Sequence, residues 1–151
     1  MPAPTAIARS FRDLDFHDDT FIDMKVIPTQ FPGDNTGSVI KIQLLQHPEK
    51  KQLLRFIGCA NLKVGIDFDV LANNLAPNTS RVDAHTDKNL MADLMMHSQE
   101  RDWNVGYGLG RNSPLDRKLN LIDELVCFRV QFFGGLVEII ARQYQVESVE
   151  Q

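Results

Sequence analysis

From Leu54 to Val70 every even position is apolar or glycine: Leu54, Phe56, Gly58, Ala60, Leu62, Val64, Ile66, Phe68 and Val70. The odd positions mix Arg55, Asn61, Lys63, Asp67 and Asp69 with Ile57, Cys59 and Gly65. Strand side chains alternate between two faces, so this period of two predicts a strand with one face in a core and the other partly wet. Fully extended, the stretch would reach about 56 Å, whereas a domain of this length has a radius of gyration near about 15 Å. It therefore has to bend. A two-residue hairpin loop at Ala60-Asn61 would turn Lys63, Asp67 and Asp69 toward Phe56. A kink or bulge near Gly58 to Asn61, or a three-residue loop at Ala60 to Leu62, keeps the parity, and Gly58 suits a kink.

The same alternation predicts a strand from Thr20 that ends before Pro28, with Ile22, Met24 and Val26 on one face. Pro28 to Gly37 is turn chemistry throughout. A second strand carries Ile40, Ile42 and Leu44, and His47 to Lys51 turn the chain into the central stretch. Pairing Gln46 with Gln52 sets Leu44 opposite Leu54 and Ile42 opposite Phe56. Near the C-terminus, a Gly134-Gly135 loop predicts a hairpin pairing Phe133 with Leu136, Phe132 with Val137, Val130 with Ile139 and Phe128 with Ala141. Leu90, Met91, Leu94 and Met95 recur at helical spacing within Asp87 to Gln99, with Thr86 as a capping residue. Leu71 to Ser80 reads as a loop with one helical turn. Ser113-Pro114 followed by Asp116 is a helix start, in competition with a strand from Leu119. The fold class is mainly β (α+β): an antiparallel sheet of about five or six strands, strongly bent or sandwich-like, with one or two short helices packed on it. Residues 1–10 read as a flexible tail, 11–147 as a single domain and 148–151 as a frayed end.

Composition then narrows the classes of function. A chain of 151 residues with 43% hydrophobic and 24% charged residues is ordinary for a globular domain. No apolar run approaches the roughly 20 residues of a membrane span, and Met1 to Ser10 lacks the pattern of a signal peptide. The cytoplasm is the default compartment. A net charge of -4 argues against a nucleic-acid partner, which calls for a basic patch. Cys59 and Cys127 lack CxxC or Cys/His metal spacing and read as reduced, packed thiols.

Signatures of common enzymes are missing: there is no G-x-S-x-G, H-E-x-x-H or P-loop, and Gly106-Tyr-Gly-Leu-Gly110 lacks the G-x-G-x-x-G spacing. No catalytic residue and no cofactor is assigned. Imidazole with carboxylates can hold a divalent metal or exchange protons, so His17 and Asp19, with His85 and Asp87 as further ligands by type, are the metal candidates. Against this, the Asp13 to Asp23 segment reads as a strand entrance whose aspartates face water. As a binding surface, the acidic Asp15, His17, Asp18 and Asp19 could steer a basic protein, and Trp103 and Tyr107 could anchor a partner. Trp103 covering the edge of the core is the structural alternative.

Phe16-His17-Asp18-Asp19-Thr20-Phe21, leading into the alternating strand, resembles the F-H-D-x-x-[apolar] start of small bacterial immunity-type and related β-domain proteins. The resemblance implies a small cytoplasmic protein that neutralises a toxin partner, with His17 and Asp18 shaping the first strand. Three readings follow: a non-enzymatic protein-binding domain, a metal-assisted hydrolase or small-ligand-binding β fold using His17, Asp19, His85 and Asp87, and a homodimer through sheet edges.

Overall fold

Gly58 is where the central stretch breaks. The computed structural model describes residues 2–16, 19–28, 36–46, 50–72, 79–97 and 114–150. In it, β3 (Lys50–Ile57) and β4 (Asn61–Ile66) belong to different sheets. One sheet has the order β1 (Thr20–Ile27), β2 (Val39–Gln46), β3, β8 (Gln143–Glu150). The other has the order β4, β7 (Gly135–Ala141), β6 (Val126–Phe132), β5 (Thr79–His85). Both are antiparallel and neither closes. Arg142 alone separates β7 from β8, so β7–β8 bends in step with β3–β4. The ladder continues round the corner: Arg142 N–H donates to the Ile57 carbonyl at 3.1 Å and Ala60 N–H to the Ile140 carbonyl at 2.7 Å.

A left-handed backbone at Gly58, φ +69°, makes the bend. Ser38 clamps it. Its carbonyl accepts the Gly58 N–H at 2.9 Å. Its hydroxyl accepts the Cys59 N–H at 2.8 Å and donates to the Cys59 carbonyl at 3.1 Å. Parity survives the bend, as the alternation requires: Leu54 and Phe56 before it and Leu62 after it pack in the same core.

Two hairpin registers differ from the sequence expectation by two residues, which preserves every face assignment. Ile42 pairs with Leu54 and Ile40 with Phe56, rather than Leu44 with Leu54. Lys50 and Lys51 are strand residues, held against β8 opposite Glu150 and Val149, so they do not belong to the turn. In the C-terminal hairpin Phe132 pairs with Gly135, Val130 with Val137 and Phe128 with Ile139. The loop is thus Phe133-Gly134, with Gly134 at φ +91°. Gly135 is kept in the strand because the Phe132 ring covers it; a Cβ there would lie 2.4 Å from the ring. A bulge between Phe21 and Asp23 shifts β1 so that Phe21 replaces Ile22 on the inner face. Phe21 stacks on Phe132 with centroids 4.6 Å apart.

Residues expected to be a tail form α1 (Pro4–Arg12). Proline opens the helix, where its missing N–H costs nothing. Ile7, Ala8 and Phe11 fall on one face and are buried. Phe11, fully buried, makes edge contacts with Phe56, Phe128 and Tyr144 at centroid distances of 5.8, 4.9 and 4.9 Å. Burial of one such ring contributes about 1.5–3 kcal/mol, enough to hold the helix between β5 and β8. The C-terminal residues expected to fray instead pair with β3 as far as Glu150. β5 and β8 were not anticipated because their inward positions are few: Val82 and Ala84 in one, Tyr144 and Val146 in the other.

α2 (Phe68–Ala72) starts inside the stretch expected to be strand, three residues before the expected loop, because β4 ends at Ile66 and Asp67 caps a helical turn. α3 (Lys88–His97) and α4 (Pro114–Asn120) follow, the latter resolving the helix-or-strand choice in favour of the helix. Met91 and Met95, one turn apart, join Leu125, Cys127 and Ile140 in a second buried cluster. Among the described residues no helix is long and apolar enough to cross a membrane.

Candidate docking surface

The residues singled out for metal chemistry have structural duties. The Asp87 carboxylate accepts the N–H groups of Asn89 and Leu90 at 3.0 and 3.1 Å, capping α3 in place of Thr86. His85 Nδ1 accepts the Asp87 N–H at 3.1 Å. Asp19 is buried, 4% exposed, where a turn closed by its N–H on the Phe16 carbonyl leads into β1. It does not face water as expected, whereas among the described residues of the segment Asp13, Asp15 and Asp23 are exposed. Among the described residues no three His, Cys, Asp or Glu side chains come together as a metal-ligand set. His17, Asp18, Trp103 and Tyr107 lie outside the described residues.

Neither cysteine is poised for chemistry. Burial pushes the Cys59 thiol up to about 11, against hydrogen bonds that favour the thiolate. The Cys127 thiol is pushed up to about 12, again mainly by burial. Both are free thiols that stay protonated at neutral pH.

The outer face of the second sheet carries alternating charge across four strands, with Asp83 opposite Arg129, Arg129 opposite Glu138 and Glu138 opposite Lys63. Arg129 Nε and Glu138 Oε2 are 3.5 Å apart. Asp83, Arg129 and Glu138 are half-buried and Lys63 is exposed.

A different kind of surface lies where β4 meets the β6–β7 turn. Val64 and Ile66 sit on the inner parity of β4, opposite Val137 and Gly135, yet both are exposed because β4 is the edge of its sheet. Asp67 then caps α2 through its carboxylate, which accepts the Val70 N–H at 3.1 Å. The Asp67 N–H donates to the Gly134 carbonyl at 2.8 Å. This bond fastens the start of α2 to the turn, and the residues beside it on the two chains are Phe68 and Phe133. They are 75% and 52% exposed. Isolated apolar residues on a surface are ordinary, but the β4–β7 pairing and this bond bring the backbones of four exposed apolar residues, Val64, Ile66, Phe68 and Phe133, to one end of the sheet, and exposed apolar patches mark interaction sites. Asp67 and Asp69, both exposed, give it an acidic rim.

The sequence pattern named Val64, Ile66 and Phe68 only as a core face. Their exposure follows from the position of β4 at a sheet edge, which alternation alone does not encode. No family model, curated protein or solved structure matches the chain.

Proposed function

We propose that this chain is a non-enzymatic protein-binding domain that docks a partner on the patch formed by Val64, Ile66, Phe68 and Phe133. The observation that carries this reading is the 75% exposure of Phe68, a large apolar side chain held outward on a capped turn. Buried aromatic anchors ringed by polar groups supply most of the affinity at protein interfaces. The flanking Asp67 and Asp69, with the net charge of -4, suit a partner whose contact surface is apolar at its centre and basic at its rim. The resemblance of Phe16–Phe21 to immunity-type proteins makes a toxin the partner class to test first. The hydrolase reading has less support, since His85 and Asp87 are engaged in capping α3.

The test is a paired capture from the native host with the wild-type chain and the Phe68→Asp, Phe133→Asp double variant. A partner held in stoichiometric amount by the wild type at low salt, and lost from a folded double variant, supports the reading. Retention of the same partner by both, or recovery of nothing but the bait by the wild type, overturns it.

A further inference from the structure

β4 ends the second sheet, and among the described residues no strand lies beyond it. The other three sheet edges are covered or distorted. β8 lies under α1, where Ser10 Oγ and Tyr144 OH are 2.7 Å apart and the Phe11 and Tyr144 rings meet. β1 and β5 carry bulges, and the Arg12 guanidinium donates to the Ala84 carbonyl of β5 at 2.9 Å. β4 pairs without a register shift and has one charged residue, Lys63, which stands opposite Glu138.

The phase of the ladder shows which main-chain groups of β4 face outward. Asp67 falls opposite Gly134 in the β4–β7 register, and its N–H donates to the Gly134 carbonyl at 2.8 Å, so the two form a hydrogen-bonded pair. Such pairs alternate with non-bonded ones along an antiparallel ladder. Gly65 and Lys63 therefore turn their N–H and C=O groups to β7, and Ile66 and Val64 turn theirs away from it. The Gly65 carbonyl agrees, since it lies 3.1 Å from a Cβ placed on Gly135 of β7. Val64 and Ile66 are also the uncovered residues of the inner parity, 41% and 44% exposed, and a Cβ placed on Gly65 between them would meet nothing within 4 Å. Outward main-chain groups and exposed apolar side chains thus belong to the same two residues.

We infer that this edge takes up an extended segment of the partner as an added strand; the inference rests on the docking reading above and names how the docking occurs. An unpaired edge is a template for a strand. In strand addition the main-chain hydrogen bonds supply affinity and alternate side chains supply the choice of partner. Val64 and Ile66 bond the segment through their outward N–H and C=O groups, and the segment's side chains on the inner face beside them are apolar. Asp67 and Asp69, at the end of β4, are exposed and among the described residues pair with no cation. The segment therefore carries a basic residue next to its apolar pair.

Blocked peptides Lys-Val-Thr-Val-Thr and Thr-Val-Thr-Val-Lys, which cover both strand directions, test this when titrated to millimolar concentration into the isotope-labelled chain. At least one should protect the Val64 and Ile66 amides from hydrogen exchange and leave Gly65, already bonded to β7, unchanged. Methylating the peptide's main-chain nitrogens should weaken binding at least about fivefold. Val64→Pro removes one outward N–H and no ladder bond, so it should weaken binding similarly and keep the wild-type urea midpoint. If it unfolds the chain, the methylated peptide reads the same bonds on unaltered protein. No protection of either amide, binding indifferent to methylation, or equal binding of a peptide with glutamate for its lysine overturns the inference. Protection of these amides in the chain alone at millimolar concentration would assign the edge to a second copy and overturn it too. A partner still captured through Phe68 and Phe133 in those cases leaves the docking reading standing, whereas peptide binding with no partner recovered overturns the docking reading alone.

Discussion

A Cβ placed on Gly58 would lie 2.8 Å from Cδ of Arg142, so the corner joining the two sheets is a glycine seated under an arginine stem. Gly58→Ala should cost roughly 1–3 kcal/mol from the left-handed backbone alone. Arg142→Ala in that background should recover the part due to crowding and leave the backbone part in place. Urea midpoints of the wild type, both single variants and the double variant measure the two shares. Equal stability of Gly58→Ala and wild type would show that the corner does not depend on this glycine.

Phe11 ties the N-terminal helix to both sheets. Phe11→Ala should cost about 3–5 kcal/mol, the range for deleting a fully buried aromatic ring. Thermal unfolding followed by circular dichroism checks it. A loss below about 1 kcal/mol, the scale of a typical point mutation, would return residues 4–12 to the status of a tail.

Asp87 is a helix cap. Asp87→Ala should cost about 1 kcal/mol, while Asp87→Asn, which keeps the capping oxygen, should cost only a few tenths. Chemical denaturation distinguishes them. A large loss in the Asn variant would mean that the charge, and not the cap, is what the fold uses.

The buried thiols set a pH dependence with a definite sign. An unfolded Cys59 or Cys127 ionises near its ordinary value of 9.0, whereas in the fold both remain protonated to about 11 and about 12. Between these values the unfolded chain releases protons that the folded chain keeps, so their contribution is full below about pH 9 and is lost as pH rises. The fall in urea midpoint from about pH 8 to about pH 10 should be smaller in a Cys59→Ala, Cys127→Ala variant. An equal fall in both proteins would contradict the assignment.

The faces of the sheets were legible in the sequence because side-chain parity survives a shift of two residues. Phe128, Val130, Leu54 and Ile42 point inward in either register. The pairings themselves were not legible, since they depended on Gly135 lying under Phe132 and on Lys50 pairing with Glu150, both contacts between chain positions that alternation treats as equivalent. The bend was legible because charge on one parity of Lys63 and Asp67 left few places for it, and glycine marked one of them. α1 announced itself in Pro4, Ile7 and Phe11 but is too short for a convincing period. The patch was read as core for the reason that makes it a candidate site: Ile66 and Phe68 continue an apolar alternation past the point where the sheet stops covering it.

Phe68 and Phe133 carry the functional proposal, and their exposure separates binding from stability. Phe68→Ala and Phe133→Ala should each change unfolding free energy by no more than about 0.5 kcal/mol. The decisive measurement is calorimetric titration of the captured partner into the wild type, each alanine variant and the double variant. The account predicts at least one variant weakened by about thirtyfold or more, as loss of an interface anchor worth about 2 kcal/mol requires. It also predicts wild-type stability in that variant. Affinity unchanged in the double variant would contradict it, and the partner's surface would have to lie elsewhere on the molecule.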